Sequence, residues 1–134
     1  MMKGSHSGAG ISINDSNVSL LNCKLKQNHN HGAYIPDTGS GQSFLDAFNC
    51  TFLQNWTAGV YTEYPQFSAQ ITDCIFDGNN VSEYGLYFVA ASTIEIQDSR
   101  ITNNDMGIYC ADTDLTMADC RIKSNDIGLY CANS

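Results

Sequence analysis

The chain repeats itself at intervals of 21 to 27 residues, and a unit that short cannot bury its own apolar face. A glycine followed by an apolar residue recurs at Gly10-Ile11, Gly32-Ala33, Gly59-Val60, Gly85-Leu86, Gly107-Ile108 and Gly128-Leu129. Inside each unit an acid or its amide precedes Cys or Ser: Asn22-Cys23, Asn49-Cys50, Asp73-Cys74, Asp98-Ser99 and Asp119-Cys120. Five residues after each Cys or Ser stands an asparagine: Asn28, Asn55, Asn79, Asn104 and Asn125. This offset is constant while the flanking stretches change length. One part of the unit is therefore geometrically fixed, and insertions fall in loops.

Each unit reads as three short strands with one buried face, because apolar residues alternate with period two. The first strand turns inward the pairs Ile11/Ile13, Ala33/Ile35, Leu86/Phe88, Ile108/Cys110 and Leu129/Cys131, with Val60/Thr62 as the weak member. The second carries Val18/Leu20, Leu45/Ala47, Ala69/Ile71, Ile94/Ile96 and Leu115/Met117. The third turns in Cys23/Leu25, Cys50/Phe52, Cys74/Phe76, Ser99/Ile101 and Cys120/Ile122. No segment holds a helical pattern. Units of this kind gain a continuous core only by stacking, each strand pairing in parallel with its equivalent roughly 4.8 Å away. The Asn or Asp before each marker suits a left-handed corner between the second and third strands. The repeated glycine is expected to ease a sharp bend into the first strand.

These residues resemble the right-handed parallel β-helix repeat of pectin-lyase-like proteins, over residues 10–131. The resemblance implies an all-β, right-handed parallel β-helix (solenoid) of about five coils, three short strands per coil. Residues 1–9 are then an N-terminal extension or partial coil, and 10–134 the β-helix repeats. It also implies an extracellular or cell-surface setting and a carbohydrate ligand, both by analogy alone.

Composition narrows the partners. Six Lys+Arg against 14 Asp+Glu leave a net charge of −8, the wrong sign for nucleic acid or an anionic membrane surface. No apolar run is long enough to insert in a membrane.

The outward residue two after each glycine is Ser12, Tyr34, Tyr61, Tyr87, Tyr109 and Tyr130, so five tyrosines form a file. One reading is a structural ladder. The other is a platform for the flat C–H face of a sugar, since tyrosine can stack and hydrogen-bond at once. In the enzymes that the chain resembles, the outer face of this strand lines the substrate groove. The candidate ligand-binding residues are therefore Tyr34, Tyr61, Tyr87, Tyr109 and Tyr130.

Acids flank the file: Glu83, Asp105 and Asp126 before it, Asp37, Glu63, Asp112 and Asp114 after it. They read as a solvated rim, as an acid–base pair, or as weak ligands of Ca²⁺, the one cofactor considered. The lyases of the resembling group often set a Lys or Arg base beside Ca²⁺, and this strand and its loops have neither after Lys3. His31-Gly32 followed by Tyr34 has a slight likeness to the His-Gly step of alginate epimerases, whose Tyr-Gly-Phe-Asp-Pro-His signature is absent. No catalytic set emerges, and the chain does not read as an enzyme. No C-x-x-C pair exists for zinc, and the six cysteines read as small buried hydrophobes.

Lys24, Lys26, Arg100, Arg121 and Lys123 all point outward from the third strand, either to neutralise the corner acids Asp98 and Asp119 or to dock an acidic partner. Asn-x-Ser/Thr triplets at Asn14, Asn17, Asn49, Asn55 and Asn80 are glycosylation acceptors if the chain is exported, with Asn49 expected to be the least accessible. Neither end carries a readable cap, so the chain is expected to be part of a longer protein or to self-associate through its ends. The functional expectation is a carbohydrate-binding or surface-recognition module. The alternatives are an assembly module that stacks into oligomers or filaments, or a fragment of a larger glycan-active enzyme.

Overall fold

The computed structural model describes residues 9–39, 41–78 and 83–132, and the backbone of 2–3. Three parallel sheets run the length of a solenoid. The first sheet holds Ile11–Ser12, His31–Ile35, Ala58–Thr62, Tyr84–Val89, Met106–Ala111 and Ile127–Ala132. The second holds Asn17–Leu21, Ser43–Phe48, Phe67–Thr72, Thr93–Gln97 and Asp114–Ala118. The third holds Met2–Lys3, Lys24–Lys26, Thr51–Leu53, Ile75–Asp77, Arg100–Thr102 and Arg121–Lys123. Each strand pairs with its equivalent one repeat away, and the sequence alignment of the units is the pairing register: Leu86 faces Val60 and Ile108, and Phe76 faces Phe52 and Ile101.

The core is the set of inward files read from the sequence. Leu25, Ile35, Leu45, Val60, Ile71, Leu86, Phe88, Ile94, Ile101 and Ile108 are buried. Phe52 and Phe76 stack at 4.7 Å inside it. Thr62, the weak member, is also buried, because its hydroxyl donates to the Ile35 carbonyl at 3.1 Å and accepts from the Tyr64 amide at 3.0 Å. Tyr64 and Ala91, at the turn between the first and second sheets, and Phe67, which opens a strand of the second, extend the core beyond the repeat pattern.

The corners follow the residues only in part. Asn22, Asn49, Asp73, Asp98 and Asp119 all have φ between 52° and 55°, the left-handed corner expected of them. Gln27, Gln54, Asn103 and Ser124 do the same after the third strand, and Asp15, Ala90 and Asp112 after the first. Left-handed residues thus occur on all three sides of the coil, at every corner after the second strand and at some of those after the first and third.

The glycines need a different account from the one their sequence suggests. None of Gly10, Gly32, Gly59, Gly85, Gly107 or Gly128 uses a positive φ. Instead, a Cβ on Gly59 would sit 2.6 Å from the Gly85 carbonyl oxygen, and one on Gly85 2.7 Å from that of Gly107. Gly10, Gly32, Gly59, Gly85 and Gly107 are spacers that let successive coils approach, not hinges.

The constant asparagine is a rung inside the stack. Asn28 and Asn55 are each 1 % exposed. Asn55 Oδ1 accepts from the Asn28 backbone amide at 3.1 Å and from Asn28 Nδ2 at 2.9 Å, and Asn55 Nδ2 donates to the Leu25 carbonyl at 3.0 Å. Asn104 and Asn125 repeat the arrangement. Asn79 lies outside the described residues. Among the described glycosylation triplets, Asn55 is therefore the inaccessible one, and Asn80 lies outside the described residues. Asn49, expected to be hidden by its corner, is exposed, because the corner points it outward to donate to Asn22 Oδ1 at 2.6 Å.

The cysteine file also does more than fill space. The thiols of Cys23, Cys50, Cys74 and Cys120 reach the carbonyl two residues earlier at 3.2–3.4 Å, as the Ser99 hydroxyl does at 2.9 Å. A small donor at the marker thus caps the corner. All six cysteines are free, with Cys50, Cys74 and Cys110 buried, Cys23 and Cys120 half-buried, and Cys131 exposed. The file is fully buried only in the middle coils, where a further coil covers it on both sides. Burial pushes the Cys74 thiol up to about 11, so it stays protonated at neutral pH and is a poor nucleophile.

Candidate functional site

The first sheet brings the tyrosine file together as one stripe. Ser12, Tyr34, Tyr61, Tyr87, Tyr109 and Tyr130 are successive register partners. Strand spacing of about 4.8 Å is close to the contact distance of stacked rings, so the rings lie face to face. Centroids are 4.3 Å apart for Tyr61–Tyr87, 5.0 Å for Tyr87–Tyr109 and 5.2 Å for Tyr109–Tyr130, with planes within 12°. Tyr84 adds an edge contact to Tyr87 at 5.0 Å.

His31, which the sequence places in a loop cluster, is a rung of this stripe. It lies 4.4 Å from Tyr61 and 5.2 Å from Tyr34, and Tyr34 and Tyr61 themselves are tilted and 6.0 Å apart. The signal was its position directly before the repeat glycine, which puts it in the first strand. His29 instead stacks on the exposed Trp56 at 5.3 Å, so the two histidines face different aromatic partners.

This stacking changes how the stripe can touch a ligand. Tyr61, Tyr87 and Tyr109 each have both ring faces covered by a neighbour. Flat faces for a sugar C–H surface, expected from the sequence, are therefore not offered along the middle of the stripe. What reaches solvent there is a row of ring edges and hydroxyls. The Tyr61 hydroxyl donates to Glu63 Oε1 at 3.2 Å. Burial, and then the Glu63 carboxylate, hold the Tyr61 and Tyr87 phenols above their ordinary range. At neutral pH both stay protonated and can donate as well as accept.

The acids line the stripe on both sides. Glu83, Asp105 and Asp126, with Tyr84, Met106 and Ile127, border an open groove of about 490 Å³. On the other side Asp37 accepts from the Gly39 amide at 2.9 Å and Asp112 is a left-handed corner, so these two have local work. Among the described residues no group of three metal-ligating side chains converges.

His31 Nδ1 is buried and has no partner among the described residues. Burial lowers the imidazole pKa to about 4, against about 6.5 in an unfolded chain. The unfolded state then binds the extra proton first. The stability involved is fully present above pH ~6.5 and is lost as the pH falls toward 4. Thermal unfolding at pH 7 and pH ~4.5 is expected to show a larger drop in midpoint for the parent than for His31→Phe. Equal drops would contradict a half-buried, neutral histidine.

A family model described as a right handed beta helix region matches residues 9–134. No curated protein and no solved structure matches the chain.

Proposed function

The chain belongs to the right-handed β-helix family, and we propose that it is a carbohydrate-recognition or surface-recognition module whose contact stripe is Tyr34, Tyr61, Tyr87, Tyr109 and Tyr130. The observation that carries this reading is the in-register row of phenols, continued through five coils and bordered by carboxylates. Such a row offers donors and acceptors at one spacing along a line, on rings that stacking holds still. Rigid aromatics lose little freedom on binding. An open stripe suits a chain-like ligand better than a small molecule, which favours an enclosed pocket. The carboxylate borders, with no Lys or Arg in the stripe, favour an uncharged glycan over an acidic one. A binding screen of the intact chain against soluble neutral polysaccharides tests the reading, with acidic polysaccharides expected to bind more weakly at this stripe.

A second reading, an assembly module, draws on the last coil. Ile127, Leu129 and Tyr130 are exposed there, beside the outermost described strand of each sheet. A second copy stacked end to end would cover these side chains and continue the ladders. If the glycan screen is blank and light scattering shows mass rising with concentration, this reading replaces the first.

A further inference from the structure

The sequence leaves two roles for the cations of the third sheet, neutralising the corner acids or docking an acidic partner, and no ion pair joins them to those acids among the described residues. Arg100 and Arg121 are register partners on adjacent strands, and Lys123 lies beside Thr102. All three side chains are exposed. Among the described residues none of them forms an ion pair with a carboxylate, although the chain has 14 acids for only six Lys and Arg. Asp77 lines the same groove, and its Oδ1 accepts from Asn103 Nδ2 at 3.2 Å.

Two guanidiniums side by side on neighbouring strands repel each other. In a chain so rich in carboxylates, repulsion left standing points to an anion that relieves it. The surroundings fit that role. Arg100, Arg121 and Lys123 share a groove of about 290 Å³ with Thr102, Asn103 and Ser124, whose hydroxyls and amide add neutral donors. Planar guanidinium forks on two successive rungs, with an ammonium beside them, match a group bearing several oxygens and more than one negative charge.

We propose that Arg100, Arg121 and Lys123 form a binding site for a tetrahedral oxyanion, a sulfate or phosphoryl group. The site lies on a different sheet from the tyrosine stripe and does not rest on the glycan reading. The oxyanion could be a free ion or an ester carried on a polymer, and the two sources are separable.

Calorimetric titration of the intact chain with inorganic sulfate, inorganic phosphate and dextran sulfate tests the site, with uncharged dextran as control. Saturable binding to at least one of the three anionic probes is expected, and none to dextran through this face. Binding of the inorganic ions marks a free-ion site, and binding of dextran sulfate alone marks a polymer-borne ester. The double variant Arg100→Gln/Arg121→Gln is expected to weaken binding at least tenfold. Lys24→Gln/Lys26→Gln removes the same charge three strands away on the same sheet and is expected to stay within about twofold of the parent, as distant, screened charges do. Absence of saturable binding to all three anions overturns the proposal. So does an equal loss in the two double variants, which would reduce the effect to net charge.

Discussion

Gly85→Ala is expected to lower the stability of the folded chain by about 3 kcal/mol, the upper part of the usual range for forcing an extra carbon into a filled core. The added Cβ would meet the Gly107 carbonyl oxygen and Ile101 Cγ2, both at 2.7 Å, and Asn104 Nδ2 at 3.0 Å. The first of these is backbone in the next coil, so relief requires the coils to part. Parting them stretches the parallel ladder and the asparagine rung together. Gly39→Ala is the control: its φ is 77°, and nothing lies within 4 Å of the added carbon. That change carries only the left-handed backbone strain of about 1 kcal/mol. Urea unfolding of both variants checks the comparison. A Gly85→Ala midpoint no lower than that of Gly39→Ala would show that the coils are not in such close contact.

The second large effect is expected at Asn55. Asn55→Ala removes the acceptor for the Asn28 amide and side chain and the donor to the Leu25 carbonyl, all in a site closed to solvent. Each buried group left unsatisfied costs about 1–3 kcal/mol, and because the groups are neighbours the sum is below additive. A loss of about 3–4 kcal/mol follows. Asn55→Asp separates the two halves of the argument: it keeps the acceptor and sets a carboxylate oxygen against the Leu25 carbonyl. It is expected to be as damaging as alanine at neutral pH and to recover partly as the carboxyl is protonated. Asn49→Ala, on the exposed corner, is expected to cost only about 1 kcal/mol. Equal losses at Asn55 and Asn49 in urea unfolding would remove the internal rung from the account.

How much of this was legible follows from what each residue has to satisfy. The strands and their register could be read because insertions fall outside them, so Leu86, Val60 and Ile108 announce their alignment by period alone. The corner residues Asn22 to Asp119 could be read because their side chains tolerate positive φ. Ala90 and Ser124 could not, since there the tertiary ladder imposes the turn on residues with no preference for it. The constant offset to asparagine was visible, but its reason was not: a buried amide rung is specified by carbonyls of a different coil. The repeat glycine misled for a similar cause, because a missing Cβ looks the same in sequence whether it serves a bend or a close approach.

At the candidate site, period two placed the five tyrosines in one file, and the structure puts them in register. Their mutual stacking was not legible, because it depends on ring orientation across strands. His31 was missed as a rung because the lengths of the loops hide where the first strand begins. Tyr64 and Phe67 joined the core unseen, since they belong to one coil only and repeat nowhere.

The central functional claim is that the stripe works through its row of hydroxyls rather than through ring faces. Its most direct measurement is the affinity of Tyr87→Phe for a neutral polysaccharide that binds the parent. The phenylalanine ring keeps the stack between Tyr61 and Tyr109 and removes one hydroxyl from the centre of the row. The account predicts weaker binding by about 1 kcal/mol or more, with unfolding in urea little changed. Binding of Tyr87→Phe with the parent's affinity would contradict it.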